Sequence, residues 1–207
     1  MKLLWITAFC VSLMASCQTK EPAATTSIVV PPNTTVDKNP YVTLDQSPLD
    51  VSYFPPNYPM QRMKQQDTFP LIARVIYSRP HKKGRPVFGS SPQSICKYGI
   101  PWRLGANEAT EIEFFREVNI AGNSISRGRY VMYCIPYPDK WIIKFNSNLF
   151  TWGLHIDPST NIATAEIPVE EQTTPIEDFT MVFLPSADGA HLLMAWDNVK
   201  TILPITF

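Results

Sequence analysis

Between Leu71 and Phe207 the chain repeats one theme, a short run of aliphatic, aromatic and β-branched residues cut off by turn-forming residues. The runs are Leu71–Tyr77, Thr110–Phe115, Arg129–Ile135, Trp141–Phe145, Phe150–Ile156, Ile162–Val169, Phe179–Leu184, Leu192–Trp196 and Val199–Phe207. Between them stand Ala121-Gly122-Asn123, Arg127-Gly128, Pro136-Tyr137-Pro138-Asp139, Asp157-Pro158 and Asp188-Gly189. Turn signals at intervals of about eight to twelve residues leave no room for a sustained 3.6-residue apolar period, and they predict an all-β sandwich or barrel. Thr110-Glu111-Ile112-Glu113-Phe114 alternates polar and apolar groups and predicts a strand with one face buried.

The expected architecture is a single β-sandwich, immunoglobulin/transthyretin-like or jelly-roll-like, spanning 44–207 and beginning with an irregular arm, 44–70. Gly128-Arg129-Tyr130 resembles the strand approach of the corner tyrosine in immunoglobulin-like domains. In the arm, Pro55-Pro56 and Pro59 argue against a helix, because proline lacks an amide donor and crowds the preceding turn. Residues 17–43 are rich in Thr, Pro, Ala and Asn with few large apolar groups, so they read as an extended tether. Residues 1–16 read as a lipoprotein signal peptide. Met1-Lys2 is followed by an apolar run from Leu3 to Met14, too short to span a bilayer. Leu13-Met14-Ala15-Ser16-Cys17 resembles a lipobox, which makes Cys17 the expected lipidation site and the lipid its membrane anchor. Ordinary secretory cleavage nearby is the alternative. Gln18 after the cysteine points to an outer-membrane lipoprotein of the cell envelope, periplasmic or surface-exposed.

The chain carries 18 basic and 18 acidic residues, but unevenly. Arg74, Arg79, Lys82, Lys83, Arg85, Lys97 and Arg103 fall between Thr68 and Asn107 with no acid among them. Asp157, Glu166, Glu170, Glu171, Glu177, Asp178, Asp188 and Asp197 lie after Asn146 against Lys200 alone. Such asymmetry either builds an anion-binding face or brings two segments together to neutralise each other. A balanced, exported chain is not expected to bind nucleic acid. Beyond the signal and the lipid site, Cys96 and Cys134 remain, as a disulfide or as two separate apolar thiols.

No recurrent catalytic motif occurs. His81, His155 and His191 have no partner at a metal-ligand spacing, so neither a metal nor a cofactor is expected. There is no Gly-x-Ser-x-Gly elbow, phosphate loop or dinucleotide fingerprint, and Ser78 near His81 is mere adjacency. Trp141, Trp152 and Trp196 stand beside aliphatic neighbours and read as core. Chemistry-bearing residues concentrate instead in two loops, with Arg79, His81 and Arg85 in the first and Trp102, Arg103, Asn107 and Glu108 in the second. Arg forks take carboxylate, sulfate or phosphate, Trp offers a stacking face, and Asn and Glu order hydroxyls. The same residues can equally form an internal lock in which Arg103 pairs with Glu108.

These loops contain Tyr77-Ser78-Arg79-Pro80 and Trp102-Arg103-Leu104-Gly105-Ala106-Asn107-Glu108-Ala109-Thr110, and with them the chain resembles the domain of unknown function 2911 family. The resemblance extends from about Leu44 to Phe207 and implies an exported bacterial protein, mainly of Bacteroidota type, without implying a reaction. Together these readings favour a noncatalytic envelope module that binds an anionic glycan or a partner protein. The alternatives are a hydrolase or isomerase acting on cell-surface carbohydrate through Glu108 with His81 or Arg103, and a purely structural envelope protein.

Overall fold

A computed structural model describes residues 41–65 and 69–207. The expected signal peptide, Cys17 and nearly all of the expected tether lie outside the described residues. The compact unit Leu44–Phe207 is built from strands. In chain order they are β1 (Leu49–Phe54), β2 (Ala73–Ser78), β3 (Phe88–Gly89), β4 (Cys96–Lys97), β5 (Glu111–Phe114), β6 (Val118–Ile120), β7 (Asn123–Ile125), β8 (Gly128–Pro136), β9 (Lys140–Asn146), β10 (Asn161–Ser186) and β11 (Gly189–Thr206). Nine of them form one antiparallel sheet in the order β1-β2-β5-β8-β9-β10-β11-β6-β7, and β3 and β4 make a separate parallel pair.

The long strand β10 turns this sheet into two layers. Asn161–Pro168 pairs with β9, whereas Val169 onward pairs with β11. The register breaks between Glu171 and Ile176 and again before Thr180. Such irregularities bend a strand and increase its twist. The far half of β10 therefore lies over β1 and β2. Phe54 meets Phe183, and Tyr77 meets Phe179 edge-on at 5.7 Å. The two expected runs Ile162–Val169 and Phe179–Leu184 are the ends of β10, and Leu192–Trp196 and Val199–Phe207 are halves of β11. Asp197, at φ 54°, marks the break inside β11.

Strand β5 follows its alternation. Ile112 and Phe114 are fully buried, while Glu113 faces outward to Arg74 at 2.7 Å and Glu111 to Arg129 at 3.4 Å. Tyr130 donates its hydroxyl to Ser126 O at 2.9 Å, a return bond to the backbone four residues upstream like that of a corner tyrosine.

Three expectations need correction. Phe150–Ile156 is a loop, not a strand, because Phe150 (φ 59°) and Gly153 (φ 76°) hold left-handed conformations that no extended ladder accepts. The arm is less irregular than expected, since β1 pairs with β2 along its whole length. It also contains a helix, Tyr58–Met63, despite its prolines. Pro59 lies in the first turn, where a missing amide donor breaks no intrahelical bond.

Candidate functional site

The first signature is a crossing between layers. Tyr77 Oη accepts from Met181 N at 2.9 Å and also lies 3.2 Å from Met181 O and 3.1 Å from Asp50 Oδ2. Ser52 Oγ accepts from Phe183 N at 3.0 Å. Two hydroxyls thus cap the edge of β10 that β11 leaves uncovered. Arg79 then meets Asp50 at 3.3 Å and Thr180 Oγ1 at 3.4 Å. His81 Nδ1 bonds Asp178, Lys82 pairs with Asp197, and Lys83 N donates to Glu177 Oε1 at 2.6 Å. The basic loop lies on the acidic bend of β10 and β11, so this part of the charge asymmetry is neutralised internally.

The second signature is a stitched turn. Trp102 Nε1 donates to Gly105 O at 3.1 Å, and Thr110 Oγ1 donates to Leu104 O at 2.7 Å. Leu104 is fully buried at φ 54°. A Cβ on Gly105 would stand 3.0 Å from Ser78 O, so glycine is what lets the two signatures pack together. Trp102 is buried, with 9% of its surface left exposed. It stacks on Trp196 at 5.8 Å and meets Phe179 at 4.9 Å within the core. Asn107 donates to Asp45 Oδ2 at 2.5 Å and lies 3.4 Å from Ser47 O, pinning the start of the arm.

Beside this turn opens a cleft of about 910 Å³. Its walls come from the ends of the first loop, the segment around β4 and the loop 153–157, and Trp102 and Trp196 contribute to its floor. Arg85, Lys97, Arg103 and His155 line it, with Asp157 as the acid among its lining residues. Asp157 Oδ1 accepts from Ser159 Oγ at 2.7 Å and Ser159 N at 2.9 Å, bonds that lower the pKa of this carboxyl. Arg85 donates to His81 O and Lys82 O, and Arg103 to Trp152 O at 2.8 Å. Partial burial lowers the pKa of Arg103 from the usual guanidinium range. None of Arg85, Lys97 and Arg103 has a carboxylate partner among the described residues, unlike Arg74, Arg79, Lys82 and Arg129.

A family model described as Protein of unknown function (DUF2911) matches residues 59–205. The chain belongs to the DUF2911 family. No curated protein and no solved structure matches it.

Within this DUF2911 domain the expected site residues part company. Arg85, Trp102 and Arg103 reach the cleft. Arg79 and His81 hold the layers together, and Asn107 holds the arm. Glu108 is exposed and borders a different hollow of about 450 Å³, with Leu49, Ile76, Glu111, Arg129, Phe150 and Trp152 among its neighbours. Glu108 and Arg103 thus line different cavities, and among the described residues no ion pair joins them, so the expected lock between the two is not formed. Cys96 and Cys134 are free thiols. Burial pushes up both pKa values, the setting of inert, apolar cysteines. Among the described residues no three His, Cys, Asp or Glu side chains gather closely enough to hold a metal ion.

Sequence reasoning placed Lys97 in the basic run but not among the site residues, and it missed the loop that supplies Leu154 and His155. A clue was present in Gly153, since an isolated glycine inside an apolar run signals a break or a close backbone approach. The structure shows that approach, with a Cβ at Gly153 standing 2.9 Å from Arg103 Cβ. Trp141 and Trp196 are core residues as expected, but Trp152 is 56% exposed, with Arg103 Cζ 5.7 Å from its ring centroid.

Proposed function

We propose that this protein is a noncatalytic β-sandwich module of the cell envelope, tethered through a lipidated Cys17, that binds an anionic glycan in the cleft. The observation that carries the reading is the set of three cations, Arg85, Lys97 and Arg103, lining one cavity without a carboxylate partner among the described residues. Cations left unneutralised around a concave site attract an anion, and a guanidinium fork can bind two oxygens of a carboxylate or a sulfate at once. A volume of about 910 Å³ suits a ligand of a few sugar rings. Anchoring is supported by the apolar run from Leu3 to Met14 and the lipobox-like residues before Cys17.

The test is titration with oligogalacturonate and with a neutral oligosaccharide of equal length. Selective binding of the uronate, weakened by added salt and reduced at least about tenfold in Lys97→Ala and Arg103→Ala, supports the cleft. Equal binding of both sugars, or of neither, refutes it. Mass spectrometry of the mature N-terminus tests the anchor, and an unmodified terminus beyond Cys17 refutes it.

A further inference from the structure

Phe150, Trp152 and Leu154 occupy alternate positions of the loop beside the cleft and are 83%, 56% and 66% exposed. Gly153 between them is buried and Thr151 half-buried, the reverse of what a soluble surface favours. The loop is nevertheless held in place. Ala109 N donates to Thr151 O at 3.1 Å, Arg103 bonds Trp152 O, and Gly153 packs directly on Arg103 and Ala109. A firmly bonded backbone that turns its large apolar groups outward marks an interaction surface.

This apolar ridge separates the cationic cleft from the second hollow. Leu154, with the exposed Ile100, lines the cleft side, whereas Phe150 and Trp152 line the hollow with Leu49 and Ile76. Arg103 joins the two, lining the cleft while its guanidinium lies against the Trp152 ring. In the hollow, Glu111 and Arg129 satisfy each other, and Glu108 stands at the border. A cation-lined cavity thus passes directly into an apolar surface. A longer polysaccharide leaving the cleft would lay its hydroxyls over Leu154 and Ile100, where these side chains offer no hydrogen-bonding group. A hydrocarbon chain meets no such penalty.

We infer that the ligand is an amphiphile, a membrane lipid whose anionic saccharide headgroup enters the cleft while its acyl chains lie over the ridge of Phe150, Trp152 and Leu154. This inference rests on the reading of the cleft as an anionic-glycan site, and its test separates the two. The full chain, at one fixed detergent concentration, is titrated with oligogalacturonate, glucuronosyl glycerol, glucuronosyl diacylglycerol and the neutral galactosyl diacylglycerol. The expected result is that oligogalacturonate binds and that glucuronosyl diacylglycerol binds more tightly than either glucuronosyl glycerol or the neutral lipid, by at least about tenfold, the equivalent of about 1.4 kcal/mol. The variant Phe150→Ser, whose substituted side chain is exposed and lines the hollow, not the cleft, should keep its thermal midpoint and its oligogalacturonate affinity but show a reduced advantage of the acylated ligand. If oligogalacturonate binds but acylation adds nothing, or if Phe150→Ser retains the full advantage, the amphiphile is refuted while the cleft stands. Equal binding of the neutral and acidic lipids also refutes it. If oligogalacturonate itself fails to bind, both readings fall.

Discussion

Replacing Tyr77 with phenylalanine tests how the two layers are joined. Tyr77 is 1% exposed, and its ring packs edge-on against Phe179, contacts that phenylalanine keeps. Only the hydroxyl is lost. It accepts from Met181 N at 2.9 Å, and its single proton is directed to Met181 O at 3.2 Å or Asp50 Oδ2 at 3.1 Å. Two hydrogen bonds therefore disappear, each worth about 0.5–1.5 kcal/mol net, and a buried amide donor on the uncovered edge of β10 is left unsatisfied at about 1–3 kcal/mol. These figures overlap, because the lost acceptor and the orphaned donor are one event. Tyr77→Phe should thus cost about 2–4 kcal/mol, mostly through the orphaned Met181 amide. For a domain of this size that lowers the thermal midpoint by roughly 4–16 °C. Urea denaturation of both proteins measures the difference, with the m-value expected to stay unchanged because the fold and its buried surface persist. A loss below about 0.5 kcal/mol would refute the reasoning, since water would then be replacing the hydroxyl at that edge.

The same tyrosine should make stability sensitive to alkali. Burial pushes its pKa up to about 12 from an ordinary value of 10.0, so the unfolded chain releases the proton first and stability should fall as pH rises from about 10 to about 12; urea midpoints across that range check the slope, and its absence in Tyr77→Phe would assign it to this group. Gly153→Ala should destabilise the protein by roughly 1–3 kcal/mol and weaken oligogalacturonate binding, because the added methyl meets Arg103 Cβ at 2.9 Å at a φ of 76°; thermal melts and titration on the one variant check both effects. Cys96 and Cys134 should resist a thiol reagent in the native protein and react with it once the chain is unfolded without reductant, because both thiols are buried; two blocked thiols in the unfolded protein would instead reveal a disulfide.

What the sequence determined by itself is what local chemistry dictates. Strands β5, β8 and β9 were legible because alternation, β-branching and flanking turn residues act within a few positions of one another. The family signatures were legible as words, though not as roles. Tyr77 and Trp102 turn out to hold the layers and the turn, and only Arg103 of the second signature adds a cation to the cleft. Tertiary structure decided the rest, because it depends on which distant segments meet. Lys82 finds Asp197 rather than a nearby acid because β10 bends and carries β11 under the basic loop. Among the described residues Lys97 and Arg103 have no carboxylate partner, because Asp157, the acid that lines the same cleft, forms no ion pair with either. Phe150, Trp152 and Leu154 have the composition of a buried strand, yet they face outward, since left-handed residues at Phe150 and Gly153 and the bond from Ala109 to Thr151 fix the backbone the other way round. Hydrophobicity favours burying such side chains, but only the path of the backbone decides which of them reach the core.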